Sequence, residues 1–299
     1  MQKRHHTVSR CYLENFTDNN DRLWVLDAKN EIRDSKPENV FVENHFYRIT
    51  LKDGSKSVII ENTLADIEGT YADVFRNKIS KKIPLTLQDK ANVAVFVAAM
   101  HHRTRPNRES MRHMFQDLKK TMEEWQEEYK TMTPEERKTL AATPSSGNSL
   151  SLDQLEEGLK NFDEQYAAGL IRQTMHTAQI ILDMKWSIWH IVDGKSAFVT
   201  SDSPFVIERP QSIKKFGRNA VGSRPGLLFN DAEVTLPLSS SMLLLAGWIL
   251  NKDSYCDVPL HMAEYMNQKT ILHSSERIVA SSKEQLETIK KKYPPRELR

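Results

Sequence analysis

Histidine, carboxylate and arginine side chains are the groups in this 299-residue chain that can combine into a reactive site, and three short stretches concentrate them. Near the N-terminus, Arg4-His5-His6-Thr7-Val8-Ser9-Arg10-Cys11-Tyr12-Leu13-Glu14-Asn15-Phe16 sets two histidines and two arginines in and before an apolar run. Farther on, His101-His102-Arg103-Thr104-Arg105-Pro106-Asn107-Arg108-Glu109 places two histidines and three arginines where an apolar helix gives out. Ser201-Asp202-Ser203-Pro204 makes a polar corner between two β-prone runs. Imidazole and carboxylate ligands hold divalent ions, which lower the pKa of bound water and stabilise phosphoryl charge. Arginine's planar fork suits phosphate. The sharpest expectation is therefore a metal-dependent phosphodiester hydrolase, nuclease-like on nucleic acid or nucleotide. Its catalytic candidates are His5, His6, Glu68, His102 and Asp202, with His6, Glu68 and Asp202 as ligands of a divalent ion (Mg, Mn or Zn). Arg10, Arg103 and Arg105 would bind the substrate.

Other readings use the same residues. A non-catalytic anion or nucleic-acid binding module would recognise phosphate with these histidines and arginines, and would stack bases on Trp24, Trp186 or Trp189. An interaction protein would dock a partner elsewhere and keep the polar centre as a structural network. Plain structural roles stand beside all of these. A terminal His pair can be a frayed end, helix carboxylates commonly line a solvated edge, and arginine clusters more often form ion pairs, here with Glu68 or Asp202. No spacing is itself a metal signature. The chain lacks a P-loop, a Gly-rich dinucleotide fingerprint, a nucleophile elbow, an HExxH pair and a kinase signature. Cys11 near the His pair makes a Cys–His nucleophile conceivable, although one cysteine in an apolar setting is usually core.

These groups need a frame. Leu64, Ile67, Tyr71, Val74 and Phe75 recur at helical intervals within 58–80, and Glu61 and Glu68, seven apart, share an azimuth on that helix. Thr86 to about Met132 reads as a long helix kinked at Pro106. Leu152 to Met184 reads as a returning helix, so that 110–175 forms a projecting helical hairpin with a loop at 131–151 and a candidate partner-binding tip. Leu23 to Asp27 reads as a strand. Trp186 to Val192 reads as a hairpin with Ala197 to Thr200 through Asp193-Gly194-Lys195. Val234 to Leu238 and Met242 to Ile249 add strands, Pro259 to Val279 a helix and Arg277 to Ala280 a closing strand; 209–229 is a basic loop. The fold expected is α+β, one domain over 1–299: a mainly helical body with a long helical hairpin, plus a mostly antiparallel sheet from the N-terminal and C-terminal thirds.

Composition bounds the rest. With 39% hydrophobic residues the chain can bury a large core, and a formal net charge of +2 creates no global field that demands a polyanion. Two cysteines exclude a disulfide scaffold and a Cys-rich zinc site. No apolar stretch approaches the roughly 20 residues of a membrane span, and no signal-peptide core is visible, so a cytoplasmic protein with no membrane role is expected.

The sequence resembles a domain-of-unknown-function family of bacterial proteins that open with His-His-x-Val/Ile-Pro-x-x-Tyr-Leu-x-x-Phe. His5 to Phe16 carries the motif, with Ser9 where the pattern has proline, which is expected to loosen the turn after Val8. The likeness continues through Asn44-His45-Phe46-Tyr47, the Glu61 to Glu68 helix, Arg103-Thr104-Arg105-Pro106, Thr200 to Pro204, Leu236-Pro237-Leu238 and the helix around Asn267. The resemblance brings no established activity. It implies a single domain in which the scattered polar clusters belong together.

Overall fold

The computed structural model describes residues 4–47, 49–50, 56–141, 150–192, 197–217 and 226–293. In chain order, β1 (Arg4–His6) leads into the short helix α1 (Arg10–Leu13) and the hairpin of β2 (Leu23–Leu26) and β3 (Ile32–Ser35). Then come β4 (Val42–Asn44) and a small pair, β5 (Ile49–Thr50) and β6 (Lys56–Ser57). A helical section follows: α2 (Ile59–Asn77), α3 (Leu87–His102), α4 (Arg105–Thr131), α5 (Pro134–Ala141), α6 (Leu152–Lys160) and α7 (Phe162–Asp183). The last third holds β7 (Lys185–Ile191), β8 (Thr200–Ser201), β9 (Val206–Glu208), α8 (Pro210–Phe216), β10 (Glu233–Pro237), β11 (Met242–Gly247) and β12 (Ser254–Val258). It ends with α9 (Leu260–His273), β13 (Ile278–Ala280) and α10 (Lys283–Lys292). The architecture is α+β, as expected.

Helix α3 is the axis of the helical body. A capping box starts it, Thr86 Oγ1 accepting from the Asp89 amide while the Asp89 carboxylate accepts from the Thr86 amide. Its middle is apolar all round, and it is correspondingly buried between α2 and α7, with Phe96 stacked on Tyr71 at 3.6 Å between ring centroids. The helix does not kink at Pro106 but stops: Thr104 adopts an extended backbone as N-cap of α4, and Pro106 sits in the first turn, where a proline has no helical N–H to lose. The expected single helix is thus two, and Arg103 occupies the joint.

Two sheets complete the body. Five strands run in the order β12-β7-β11-β10-β9, antiparallel except for the parallel pair β12–β7. Central β11 is buried at every position, as a strand covered on both faces must be. The second sheet, β3-β2-β13-β8, is antiparallel and joins the first third of the chain to the last, with Val25 opposite Val279. The expected hairpin from β7 into Ala197–Thr200 does not form. Both edges of β7 are taken by β11 and β12, and the Phe198 amide donates to the Ser240 carbonyl at 2.7 Å while β8 pairs with β13. The Asp193-Gly194-Lys195 turn lies outside the described residues.

In the hairpin region, no residue of α4 is buried, and α6 packs along it with Lys119 3.0 Å from Glu156. The returning segment is two helices, α6 and α7, which meet at Asn161. Part of the expected 131–151 loop is the helix α5, whose Arg137 donates to the carbonyls of Tyr129 and Lys130; 142–149 lie outside the described residues. The 209–229 segment likewise begins with a helix, α8. Among the described residues no helix is long and apolar enough to cross a membrane.

Candidate functional site

The N-terminal segment is anchored, not frayed. Val8, Tyr12, Leu13 and Phe16 are fully buried, Tyr12 Oη meets Thr200 Oγ1 at 2.7 Å, and the Ser240 amide donates to the Asn15 carbonyl at 3.1 Å. Ser9 does not loosen the turn: its φ of −54° and ψ of 135° lie in the range proline itself prefers. With its C-terminal side fixed in this way, β1 pairs antiparallel with β4, His5 opposite Glu43 and His6 opposite Val42. Strand alternation sends the two imidazoles to opposite faces.

His5 turns inward and both of its ring nitrogens are engaged. The Tyr47 amide donates to Nδ1 at 3.1 Å, so the ring proton sits on Nε2, which lies 2.8 Å from a Glu61 carboxylate oxygen. The ring stacks on that of Tyr47, with centroids 5.4 Å apart. This histidine is a strut between β1 and α2.

His6 differs. Its ring donates a hydrogen bond to the Pro37 backbone, while Nε2 is buried without a hydrogen-bond partner among the described residues. Burial, and then the positive field of Arg103, hold its pKa below the usual histidine value, against an opposing pull from Glu68. The result is a neutral imidazole with a lone pair that no described residue uses.

Arg103 ties this corner together. Its guanidinium is buried and donates to the Glu68 carboxylate through Nη1, to the His6 carbonyl at 2.7 Å through Nη2, and to Tyr47 Oη at 3.4 Å through Nε. Tyr47 Oη in turn shares its proton between the carbonyls of His6 and Arg103, both at 3.1 Å. Burial opposes the Arg103 charge, but Tyr47 and Glu68 outweigh it and raise the pKa. The cation also sits at the C-cap of α3, the favourable end of that helix dipole. Glu61 and Glu68 do share one face of α2, and each takes one partner from this network: His5 for the first, Arg103 for the second. Cys11 lies beside it, its thiol pushed by burial up to about 11 and directed at the Glu68 carbonyl 3.8 Å away, so burial favours the thiol over the thiolate at neutral pH.

The remaining expected residues do not converge on this corner. Arg10 pairs with Glu14 at 2.9 Å on the surface. Arg105 lies 3.9 Å from Glu43 and 3.7 Å from Glu276. His102 Nε2 bonds Thr177 Oγ1 at 2.7 Å, on α7; burial lowers its pKa to about 4. Asp202 accepts the backbone amides of Ser275 at 2.9 Å, Glu276 at 2.6 Å and Arg277 at 3.2 Å, which makes it a clamp on the turn before β13. Among the described residues no three His, Cys, Asp or Glu side chains are gathered to hold a metal ion. Of the expected set His6, Glu68 and Asp202, Glu68 is engaged by Arg103 and Asp202 by three backbone amides. Trp186 is likewise no stacking platform: it is buried, with its indole N–H donated to the Ile181 carbonyl at 2.9 Å.

Sequence reasoning missed Tyr47, the hub of the network, although a tyrosine in an apolar stretch always raises the question of where its hydroxyl goes. It also missed a buried ion cluster at the far end of the sheet. There Lys269 of α9 reaches Glu208 at 3.2 Å and Glu233 at 3.7 Å, two glutamates that face each other across β9 and β10. The signal was two glutamates in otherwise apolar strands.

The chain belongs to the family described as protein of unknown function (DUF4238), whose profile matches residues 4–284. The match runs from Arg4 in β1 to Glu284 in α10 and so takes in both sheets and the whole helical section. No curated protein and no solved structure matches the chain.

Proposed function

We propose that this family member binds a small phosphate-bearing ligand, a nucleotide being the natural class, and that His6 is the recognition point. The observation that supports this reading is the buried, unpartnered Nε2 of His6 beside Arg103. Buried polar atoms are nearly always hydrogen-bonded, so one that is not calls for a ligand, an ion or a water. A neutral imidazole in a positive field takes up a proton when an anion arrives, and then donates to it. The approach is from the side of Glu68, which is 22% exposed and already neutralised by Arg103, and of exposed Arg10.

A small ligand suits the charges better than a long one. Exposed Arg10 and Arg105 each face carboxylates, and a polyanion needs a continuous run of uncompensated cations. Metal-dependent hydrolysis asks in addition for a ligand set that is not gathered among the described residues, so binding is the part of the chemistry that has an observation behind it.

Calorimetric titration of the wild-type chain and His6→Ala with inorganic phosphate, a mononucleotide and a short oligonucleotide tests this. The expected result is nucleotide binding that strengthens as pH falls, by up to about tenfold per pH unit for one proton taken up, and that drops at least about tenfold in His6→Ala. Equal affinity in the variant, or no binding of any phosphate probe, ends the proposal. Turnover of the nucleotide during the titration would favour a hydrolase instead.

A further inference from the structure

The five-stranded sheet ends in a polar pocket that the histidine corner does not use. Register sets Met242 of β11 and Asp257 of β12 on either side of His190 of β7, so the three side chains share one face of the sheet. Phe75 near the end of α2, Ser80 in the turn after it and Asn15 of the N-terminal segment complete a pocket of about 240 Å³ with His190, Met242 and the turn that joins β10 to β11.

That turn, Ser239-Ser240-Ser241, is fixed by its backbone. The Ser240 amide donates to the Asn15 carbonyl at 3.1 Å, and the Ser240 carbonyl accepts from the Phe198 amide at 2.7 Å. Ser239 Oγ accepts the amides of Ser241 at 3.1 Å and Met242 at 3.0 Å, which leaves its proton for Ser241 Oγ at 3.3 Å. The Ser241 proton is then free to donate outward.

His190 is held as a directed acceptor. Its Nδ1 lies 3.1 Å from Asp257 Oδ1, and Lys82 Nζ approaches the same oxygen at 2.5 Å. The Lys82 contact, and then His190, hold the Asp257 carboxyl below its ordinary value, so the carboxylate only accepts and the ring proton sits on Nδ1. In the neutral imidazole Nε2 is left with a lone pair, on a side chain that is 25% exposed.

The lining selects the ligand. No Lys, Arg, Asp or Glu is among the described side chains that line the pocket, which offer hydroxyls, one amide, one imidazole and the apolar Phe75 and Met242. Such a set does not compensate an ion. It matches a molecule whose hydroxyl groups each donate and accept, with a C–H face to lay on the Phe75 ring. The volume falls below the ~300–1,000 Å³ of pockets for drug-sized ligands, which suits a single small ring.

We propose that this pocket binds a neutral polyol the size of one monosaccharide, His190 Nε2 accepting from one ligand hydroxyl and Ser241 donating to another. Asp257 is a positioning residue that sets the His190 tautomer. The pocket shares no lining residue with the His6 corner, so either site can fail without the other.

Nuclear magnetic resonance of the full chain, titrated with D-glucose, D-ribose and myo-inositol to about 100 mM, reads the outcome through the His190 ring and the amides of 239–242. At least one polyol is expected to shift these signals saturably. His190→Ala, followed at the amides, should weaken that binding at least about tenfold, and Ser241→Ala should weaken it in the same direction. Asp257→Asn should move the ring nitrogen signals toward the Nε2–H tautomer and weaken binding with them, which a merely structural carboxylate would not do. No saturable shift with any of the three polyols, shifts that persist unchanged in His190→Ala, or a stronger response of the same signals to inorganic phosphate would each overturn the proposal.

Discussion

The salt bridge between Arg103 and Glu68 joins a buried guanidinium to a carboxylate that is 22% exposed, and so carries the interior of the helical body to its surface. Three elements depend on that one arginine: α2 through Glu68, β1 through the His6 carbonyl, and the loop after β4 through Tyr47. Arg103→Ala leaves Glu68 and the His6 carbonyl without their donor, and breaking a buried pair from one side costs about 3–5 kcal/mol. Arg103→Lys keeps the charge but not the fork, and should lose about half as much. Denaturant unfolding measures both; a loss below about 1 kcal/mol for Arg103→Ala would mean the network is not structural.

His5 and His6 are neighbours with opposite expectations. His5→Ala orphans the Tyr47 amide and removes the Glu61 contact, which should cost about 1–3 kcal/mol of stability. His6→Ala removes a ring with a single backbone hydrogen bond, and should stay within about 1 kcal/mol of wild type. Thermal and denaturant melts of the two variants side by side separate the strut from the binding group. Equal losses would erase the distinction.

Acid should unfold the chain partly through His102. In the folded state burial lowers its pKa to about 4, against an ordinary value of 6.5, so between these values the unfolded chain binds more protons. Stability is complete above pH 6.5 and falls as pH drops toward 4, with a limiting slope of ~1.4 kcal/mol per pH unit for this one group. His6, lowered in the same direction, adds to the effect. Stability measured at stepwise lower pH should decline less steeply in His102→Gln than in wild type, and parallel curves would contradict the assignment.

The two thiols should react unequally. Cys256 is exposed, while burial raises the Cys11 thiol to about 11. A chromogenic thiol reagent at neutral pH is expected to label one cysteine in the native chain and both after unfolding. Rapid native labelling of both would show that the His5–Phe16 segment opens.

How much of this was legible beforehand differs between the body and the site. Periodicity found α2, α3 and β11, because a core face repeats at 3.6 or is continuously apolar. It also placed Glu61 and Glu68 on one face. It merged α3 with α4, since the pattern continues through Arg103 and Thr104, and only the extended backbone of Thr104 breaks the helix. It paired β7 with its sequence neighbour, whereas pairing across the sheet is decided by long-range packing that no local window contains. The engagement of the expected ligands was hidden for a related reason. Residue type identifies Asp202 as a competent carboxylate, but three amides from a turn more than seventy residues away had already engaged it.

The sheet that sets Val25 opposite Val279 also imposes an order on biosynthesis. A chain emerging at ~5–20 residues per second leaves the β2–β3 hairpin waiting on the order of tens of seconds for the strand that completes its inner edge. During that interval the hairpin presents unpaired backbone, which is the condition under which nascent chains aggregate or recruit chaperones. Tyr12, whose hydroxyl bond to Thr200 spans nearly two hundred residues, waits almost as long. The histidine corner, built from residues between His5 and Arg103, does not share that wait, so a ribosome halted before Arg277 would carry a chain with the corner's residues present and β2 still lacking its partner strand β13.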